Sequence, residues 1–370
     1  MAGSELQPDR PLFLDPNLNI IFGVTLLAVL GVSSVAPVFP TVARELNVAP
    51  EAVGLLITVF TLPGIVLTPI FGVLADRYGR KKVLVPAILL FSLAGSSCAL
   101  ARDFPTLLVF RFLQGVGAAS LGSLNATLIG DLFKGPRQTE AMGYNASILS
   151  VGTAVYPSLG GALAALGWYV PFALPIVGLG VATAVVFKLD AVDVRKAEGL
   201  RAYLREALAG MRNIKVMGLY LVSVMTFIVL YGAYTTFIPL HLSHRFGSTA
   251  LGIGLVMSVG SLSTAVTASN LRFFHRLLSS ERLITYAFAL YALSFFVIPW
   301  LPGHWWIALP VALFGVAQGM NYPVVMSLLA SMAPTEHRAI FMSANGMVLR
   351  VGQTLGPLVM AAVFAWGGMD

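Results

Sequence analysis

The sequence predicts an all-α polytopic membrane protein, and three observations carry that prediction. The chain of 370 residues is 57% hydrophobic and 11% charged, with a mean hydropathy of +0.85. A globule in water needs more polar surface than such a composition leaves. Apolar runs recur along nearly the whole length, each long enough to cross a hydrocarbon core of about 30 Å. Finally, 18 of the 23 Lys and Arg residues fall in the amino-terminal tail, in alternate connections between runs or at the margins of those connections, whereas Arg44, Arg102 and Arg245 fall in the other connections and Arg111 and Arg350 lie well within runs. A backbone in lipid must bond to itself, so runs of this length are helices.

Taken in order, the runs occupy 19–42, 52–74, 83–101, 105–131, 140–165, 169–188, 214–240, 251–270, 283–301, 304–331 and 339–366, eleven spans in all. The first follows Glu5, Asp9, Arg10 and Asp15 without a small-residue cleavage site, so it is expected to be retained rather than removed as a signal peptide. Pro63, Pro157 and Pro310 fall inside runs, which membrane helices tolerate. Cys98 is the lone cysteine, so no disulfide forms within the chain. Basic residues in short connections mark the cytoplasmic side, which places the amino terminus there. The net charge of +7 therefore belongs to topology and predicts no nucleic-acid partner. Between spans six and seven, residues 189–213 carry Arg195, Lys196, Arg201, Arg205 and Arg212, with Leu200, Tyr203, Leu204, Ala207, Leu208 and Met211 at helical spacing. An amphipathic helix on the inner membrane face is predicted there, joining a bundle at 1–188 to a second at 214–370.

An internal repeat supports that division. Met142, Asn145, Leu149, Val151, Gly152 and Pro157 recur 200 positions later as Met342, Asn345, Leu349, Val351, Gly352 and Pro357. Gln114-Gly115 in span four recurs as Gln318-Gly319 in span ten. A duplicated bundle of six helices explains both. Six spans precede the connecting segment and five follow it, so the repeat leads one to expect a twelfth helix.

Three motifs sharpen the reading. Residues 72–82 read Gly72-Val-Leu-Ala-Asp76-Arg77-Tyr-Gly79-Arg80-Lys81-Lys, a tight basic connection between spans two and three. Span four carries Leu107-x-x-x-Arg111-x-x-Gln114-Gly115-x-Gly117-Ala118-Ala119, in which Arg111, Gln114, Gly115, Ala118, Gly122 and Asn125 share one helical stripe. Span five carries Gly152-x-x-x-Tyr156-Pro157-x-x-Gly160-Gly161, and span eleven repeats its first part as Gly352-x-x-x-Gly356-Pro357. Together these resemble the signatures of the major facilitator superfamily, within its drug/proton antiporter branch; Tyr156 departs from the glycine that branch places before the proline.

The resemblance implies a fold of two pseudo-symmetric helical bundles and alternating access around a cavity between them. It also implies a latch in the first motif. Gly72 would let a neighbouring helix approach, Asp76 would accept from a helix amino terminus, and Arg77 would reach Asp131 at the end of span four. Arg111 is the residue the family ties to proton coupling; a purely structural arginine bonded to carbonyls is the competing reading. Gly152, Pro157, Gly160, Gly161, Gly352, Gly356 and Pro357 would set helix bends and close packing. Gln114, Asn125, Asn145, Tyr231, Tyr234, Gln318, Asn321, Tyr322, Asn345 and Gln353 would lie on cavity helices and suit an amphipathic solute.

None of the sixteen Asp and Glu residues falls in the middle of a span, so the proton carrier is not evident. Two central arginines, Arg111 and Arg350, without a central acid point alternatively to an organic anion or anionic lipid as cargo. A truncated or non-transporting sensor homologue is the reading from a different class. The thirteen methionines and His241, His244, His275, His304 and His337 show no ligand spacing, so no metal is expected. Nucleotide-binding and nucleophile motifs are also absent from the sequence, which predicts neither an enzyme nor a cofactor. The expected protein is a monomeric, multi-pass secondary transporter of the plasma membrane, in a bacterium the inner membrane, exporting small organic or drug-like molecules with protons as coupling partner.

Overall fold

The computed structural model describes residues 11–190, 213–332 and 338–367. Among them, eleven helices are long and apolar enough to cross a membrane, and no strand occurs. We number them α1 (Pro16–Glu45), α2 (Pro50–Tyr78), α3 (Arg80–Leu100), α4 (Phe104–Leu132), α5 (Pro136–Leu166), α6 (Val170–Lys188), α7 (Ile214–Phe246), α8 (Ala250–Ser269), α9 (Ser280–Trp300), α10 (His304–Met332) and α11 (Arg338–Gly367). Each corresponds to a span expected from the sequence. The expected amphipathic connector at 189–213 lies almost entirely outside the described residues.

Local chemistry sets the helix ends. Asp15, Asp103, Asn213, Thr249 and Ser279 cap α1, α4, α7, α8 and α9, their side chains accepting from backbone N–H groups of the first turn. Gly79 separates α2 from α3 at φ 99°, a conformation that a side chain would strain. The second glycine of the 72–82 motif is therefore a backbone requirement of the turn.

Small residues carry the packing, as expected where lipid supplies no hydrophobic drive between helices. A Cβ at Gly115 in α4 would overlap the Phe60 carbonyl of α2, and one at Gly117 would meet Phe91 N and Ala87 O of α3 at 2.5 and 2.6 Å. The pattern repeats in the last five spans. Gly315 and Gly319 of α10 lie against the α8 backbone at Gly260 and Thr264, and Gly352 of α11 lies against Val224 of α7. Within α7 the ladder changes register: Val229–Phe237 is a nine-residue π-helix, in which the Thr235 and Thr236 hydroxyls donate to the carbonyls of Leu230 and Tyr231 five residues back, each at 2.8 Å. Such wide turns inside membrane helices gather at functional sites.

The first six and last five spans meet at the end of the molecule remote from the 72–82 turn. Two crossings carry its closest approaches, and the end of α1 also packs on α7 and α8. In one, α5 meets α8: a Cβ at Gly161 would overlap the Ala250 carbonyl, one at Gly254 would overlap the Pro157 carbonyl, and Ser158 and Ser258 share a 2.7 Å hydrogen bond. In the other, α2 meets α11: a Cβ at Gly54 would come within 2.8 Å of the Pro357 ring, and the Thr58 hydroxyl donates to the Thr354 carbonyl at 3.1 Å. The Thr61 and Thr354 hydroxyls bond at 2.8 Å one turn deeper. Toward the basic end the two groups of helices part. Positions 72 on α2, 122 on α4 and 346 on α11 are glycines whose added Cβ would have no described atom within 4 Å.

Candidate functional site

The basic turn is organised by Arg80. Its Nε donates to Asp131 Oδ2 of α4 at 3.0 Å, and its Nη1 pairs with Asp76 in the last turn of α2. Arg80 is buried and the Asp131 side chain is 6% exposed, so this pair ties α2, α3 and α4 together inside the first six spans. The expected partner of Asp131 was Arg77; the structure assigns that role to Arg80. Arg77 instead lies 5.5 Å from the Tyr78 ring on the exposed rim. The physical reason is the turn itself, since Gly79 starts α3 one residue before Arg80 and aims that side chain back across α4. Lys81 reaches the Val186 carbonyl of α6 at 3.5 Å. The close approach expected at Gly72 is also absent, since no described helix packs on it.

Arg111 is fully buried, and its partners are backbone. Nε donates to the Leu56 carbonyl of α2 at 3.2 Å, and Nη1 donates to the Gly31 carbonyl of α1 at 2.8 Å and to Gln114 Oε1 at 2.7 Å. The guanidinium carbon stands 4.4 Å from the Phe60 ring centre. Three helices are thus pinned by one cation, with its charge spread into carbonyl dipoles and a π face. This is the structural arginine that the sequence allowed as the competing reading. It leaves Arg111 outside any pair with Arg350.

Several residues expected on cavity walls are instead consumed in packing. Asn125 Nδ2 bonds the Thr25 hydroxyl, and that hydroxyl reaches Asn145 Oδ1 at 2.5 Å, linking α4, α1 and α5. In the last five spans Asn321 Nδ2 donates to Thr226 Oγ1 at 2.6 Å, an Asn–Thr link of the same kind but off the repeat register set by Gln114 and Gln318. Gln318 accepts from the Tyr291 hydroxyl of α9, and the Tyr234 hydroxyl donates to the Met257 carbonyl at 2.5 Å while its ring stacks on Phe314 at 4.6 Å. Thr25, Thr226 and Tyr291 were not singled out from sequence. Their signal was available in the 201-residue separation of Thr25 and Thr226, close to the repeat offset.

Arg350, Tyr231 and Tyr322 differ from those groups. Arg350 of α11 makes one side-chain hydrogen bond among the described residues, to Gln353 Oε1 at 3.2 Å. Its stem lies over Gly64 of α2, where a Cβ would come within 3.1 Å of Cδ and Nε. The π-helix of α7 brings Tyr231 within electrostatic reach of the guanidinium. Phe227 stacks on Tyr231 at 5.9 Å and meets Tyr322 of α10 edge-on at 5.8 Å. The group stands one turn below the Thr61–Thr354 contact, where the closed end gives way to the cleft.

The packing glycines divide by role. Gly160 abuts Ser34 of α1, and Gly152 meets Leu26, so both serve contacts within the first six spans. Gly356 lies against Gly232 of the π-helix, with its Cβ position 2.8 Å from that backbone nitrogen. Gly161, Pro157 and Pro357 stand in the crossings between the two groups of helices.

Eleven helices long and apolar enough to cross a membrane define a polytopic membrane protein, and its relatives are transporters rather than enzymes. The chain belongs to the Major Facilitator Superfamily, whose sequence model matches residues 21–357. It is similar to multidrug resistance protein 1 of Bacillus subtilis, at 25% identity over 94% of this chain and 89% of that one. It is likewise similar to the bacillibactin exporter of the same organism, at 26% identity over 94% and 90%, and to the quinolone resistance protein NorA of Staphylococcus aureus, at 23% over 95% and 90%. Among solved structures, the human organic anion transporter MFSD10 shares the fold with a TM-score of 0.72 at 18% identity, covering 98% of this chain and 96% of that one. The POT family transporter PepTSo does so with a TM-score of 0.80 at 14% identity, over 98% and 92%.

Proposed function

We propose that this chain exports small amphipathic organic molecules across the plasma membrane by alternating access, with the proton gradient as driving force. The observation that carries the reading is the one-sided closure: interlocked backbones at Gly161, Gly254 and Gly54, against open glycines at 72, 122 and 346. With the basic connections and the amino terminus in the cytoplasm, this is the inward-facing member of a two-state pair. The two groups of helices, 1–188 and 214–370, would rock as bodies about the central cleft. Export is favoured by the relatives, two of them resistance proteins and one an exporter. The test is flux of a fluorescent cationic dye and a neutral drug in proteoliposomes, with and without an imposed pH gradient. Flux that ignores the gradient refutes the coupling, and no flux of either compound refutes the export of drug-like solutes.

A further inference from the structure

Resting on the transporter reading, we infer that the roof of the cleft is a binding site for an aromatic anion. Arg350 would hold its carboxylate, and Phe227, Tyr231 and Tyr322 would hold its ring. Four observations converge on this. First, Arg350 is a cation in a membrane span with Gln353 as its one side-chain partner, whereas Arg111 is tied through Nε and Nη1 to two carbonyls and Gln114, with Nη2 sealed in the packing away from the cleft. No Asp or Glu pairs with Arg350 among the described residues. A guanidinium in this setting has donors left for a planar oxyanion, which it can grip through two parallel bonds.

Second, the tyrosines fall into two sets. The hydroxyls of Tyr234 and Tyr291 are bonded to Met257 and Gln318. Those of Tyr231 and Tyr322 have no hydrogen-bond partner among the described residues; Tyr231 lies within electrostatic reach of Arg350, and Tyr322 lies across Phe227 from it. Tyr231 supplies a further donor to the same anion. Third, Phe227 and Tyr231 are stacked with an 18° angle between planes and Tyr322 stands at 64° to Phe227, an aromatic corner that matches a flat ring. Fourth, the position suits a transported ligand. Arg350 sits between the sealed Thr354 turn and the open Gly346 turn, so a ligand there touches α2, α7, α10 and α11 at once. A small molecule binding at that junction couples to the relative position of the two groups of helices.

The experiment is calorimetric titration of the full chain in lipid nanodiscs with 2-naphthoate, its neutral counterpart 2-naphthamide and the non-aromatic cyclohexanecarboxylate. The site predicts naphthoate binding at least tenfold tighter than either comparison compound. Arg350→Gln should remove that preference by weakening naphthoate tenfold or more while leaving naphthamide unchanged. Arg350→Lys should retain part of the preference, and Tyr231→Leu should weaken both naphthalene compounds. Gly64→Val, which crowds the arginine stem from the opposite helix, should weaken naphthoate without removing any ligand group. Equal affinity for naphthoate and naphthamide overturns the site, as does undiminished naphthoate binding in Arg350→Gln with its melting temperature intact. Drug flux in proteoliposomes without naphthoate binding would refute this site and spare the transport reading; naphthoate binding without flux of any compound would do the reverse.

Discussion

Substituting Gly254 with alanine perturbs the sealed end directly. The added Cβ would overlap the Pro157 carbonyl oxygen and stand 2.8 Å from its carbon and 3.1 Å from Ser158 Cα. All three atoms are helix backbone, so no side chain can swing aside, and α5 and α8 must separate. Overpacking of this kind costs about 1–3 kcal/mol. The penalty applies only while the two helices are in contact, so it falls on the inward-facing state and shifts the two-state equilibrium by roughly 5–150-fold toward the outward-facing one. The assay is labelling of Ser158→Cys, in a Cys98→Ala background, by a membrane-impermeant maleimide added to whole cells. Position 158 is locked against Ser258 in the seal, so its labelling rate reports opening. Gly254→Ala should raise the rate at least fivefold. Gly122→Ala serves as the control, because that Cβ meets no described atom within 4 Å. An unchanged rate in Gly254→Ala, or an equal rise in Gly122→Ala, refutes the proposed seal.

Replacing Arg111 with leucine deletes three hydrogen bonds and leaves Gln114 without its partner, a loss of about 2–4 kcal/mol at the modest values such bonds have in membranes; thermal unfolding in detergent should show it, and Arg111→Lys should recover only part. Arg80→Gln should destabilise the chain by about 1–3 kcal/mol, since it removes a buried pair with Asp131, whereas Arg77→Gln on the exposed rim should leave the melting temperature within experimental error. Asn125→Leu and Asn321→Leu each remove a buried bond to threonine, one in each group of helices, and each should lower stability by about 0.6–1.7 kcal/mol; an unchanged melting temperature in either would refute that tie.

The helices were legible because their signal is local. A run of apolar residues long enough for the bilayer admits one structure, and capping residues such as Asp103 and Thr249 mark the starts. Gly115 and Gly117 are part of the span-four motif, but that they bring α4 onto α2 and α3 emerges only from the structure. Partner choice was also less legible. Arg77 and Arg80 are equally basic and three residues apart, and the geometry of the Gly79 turn decides which one faces Asp131. The role of Arg111 was hidden for a different reason. Its main acceptors are the carbonyls of Gly31 and Leu56, and every residue type carries a carbonyl, so no side-chain pattern announces them. The π-helix in α7 has no sequence mark either, because its ladder is chosen by what α7 must present to α10 and α11.

The two kinds of contact explain how such a molecule can move. Inside each group of helices, buried polar ties hold the spans in fixed register: Arg111 with Gln114 in the first, Tyr291 with Gln318 in the last five, and the Asn–Thr links in both. Breaking any of these would leave a polar group stranded in a low-dielectric interior, so they resist rearrangement. Between the groups, the contacts are different. They are mainly small-residue approaches and hydroxyl bonds, as at Gly254–Pro157, Gly54–Pro357, Ser158–Ser258, Thr61–Thr354 and Thr58 to the Thr354 carbonyl. Hydroxyls can turn to a helix carbonyl or to entering water once separated, and a parted glycine strands nothing. The cost of opening is therefore concentrated in van der Waals contact at the seal, while the cost of deforming either group stays high. That contrast favours rigid rocking over internal rearrangement, and it places the ligand-sensitive step at Arg350, where the seal ends.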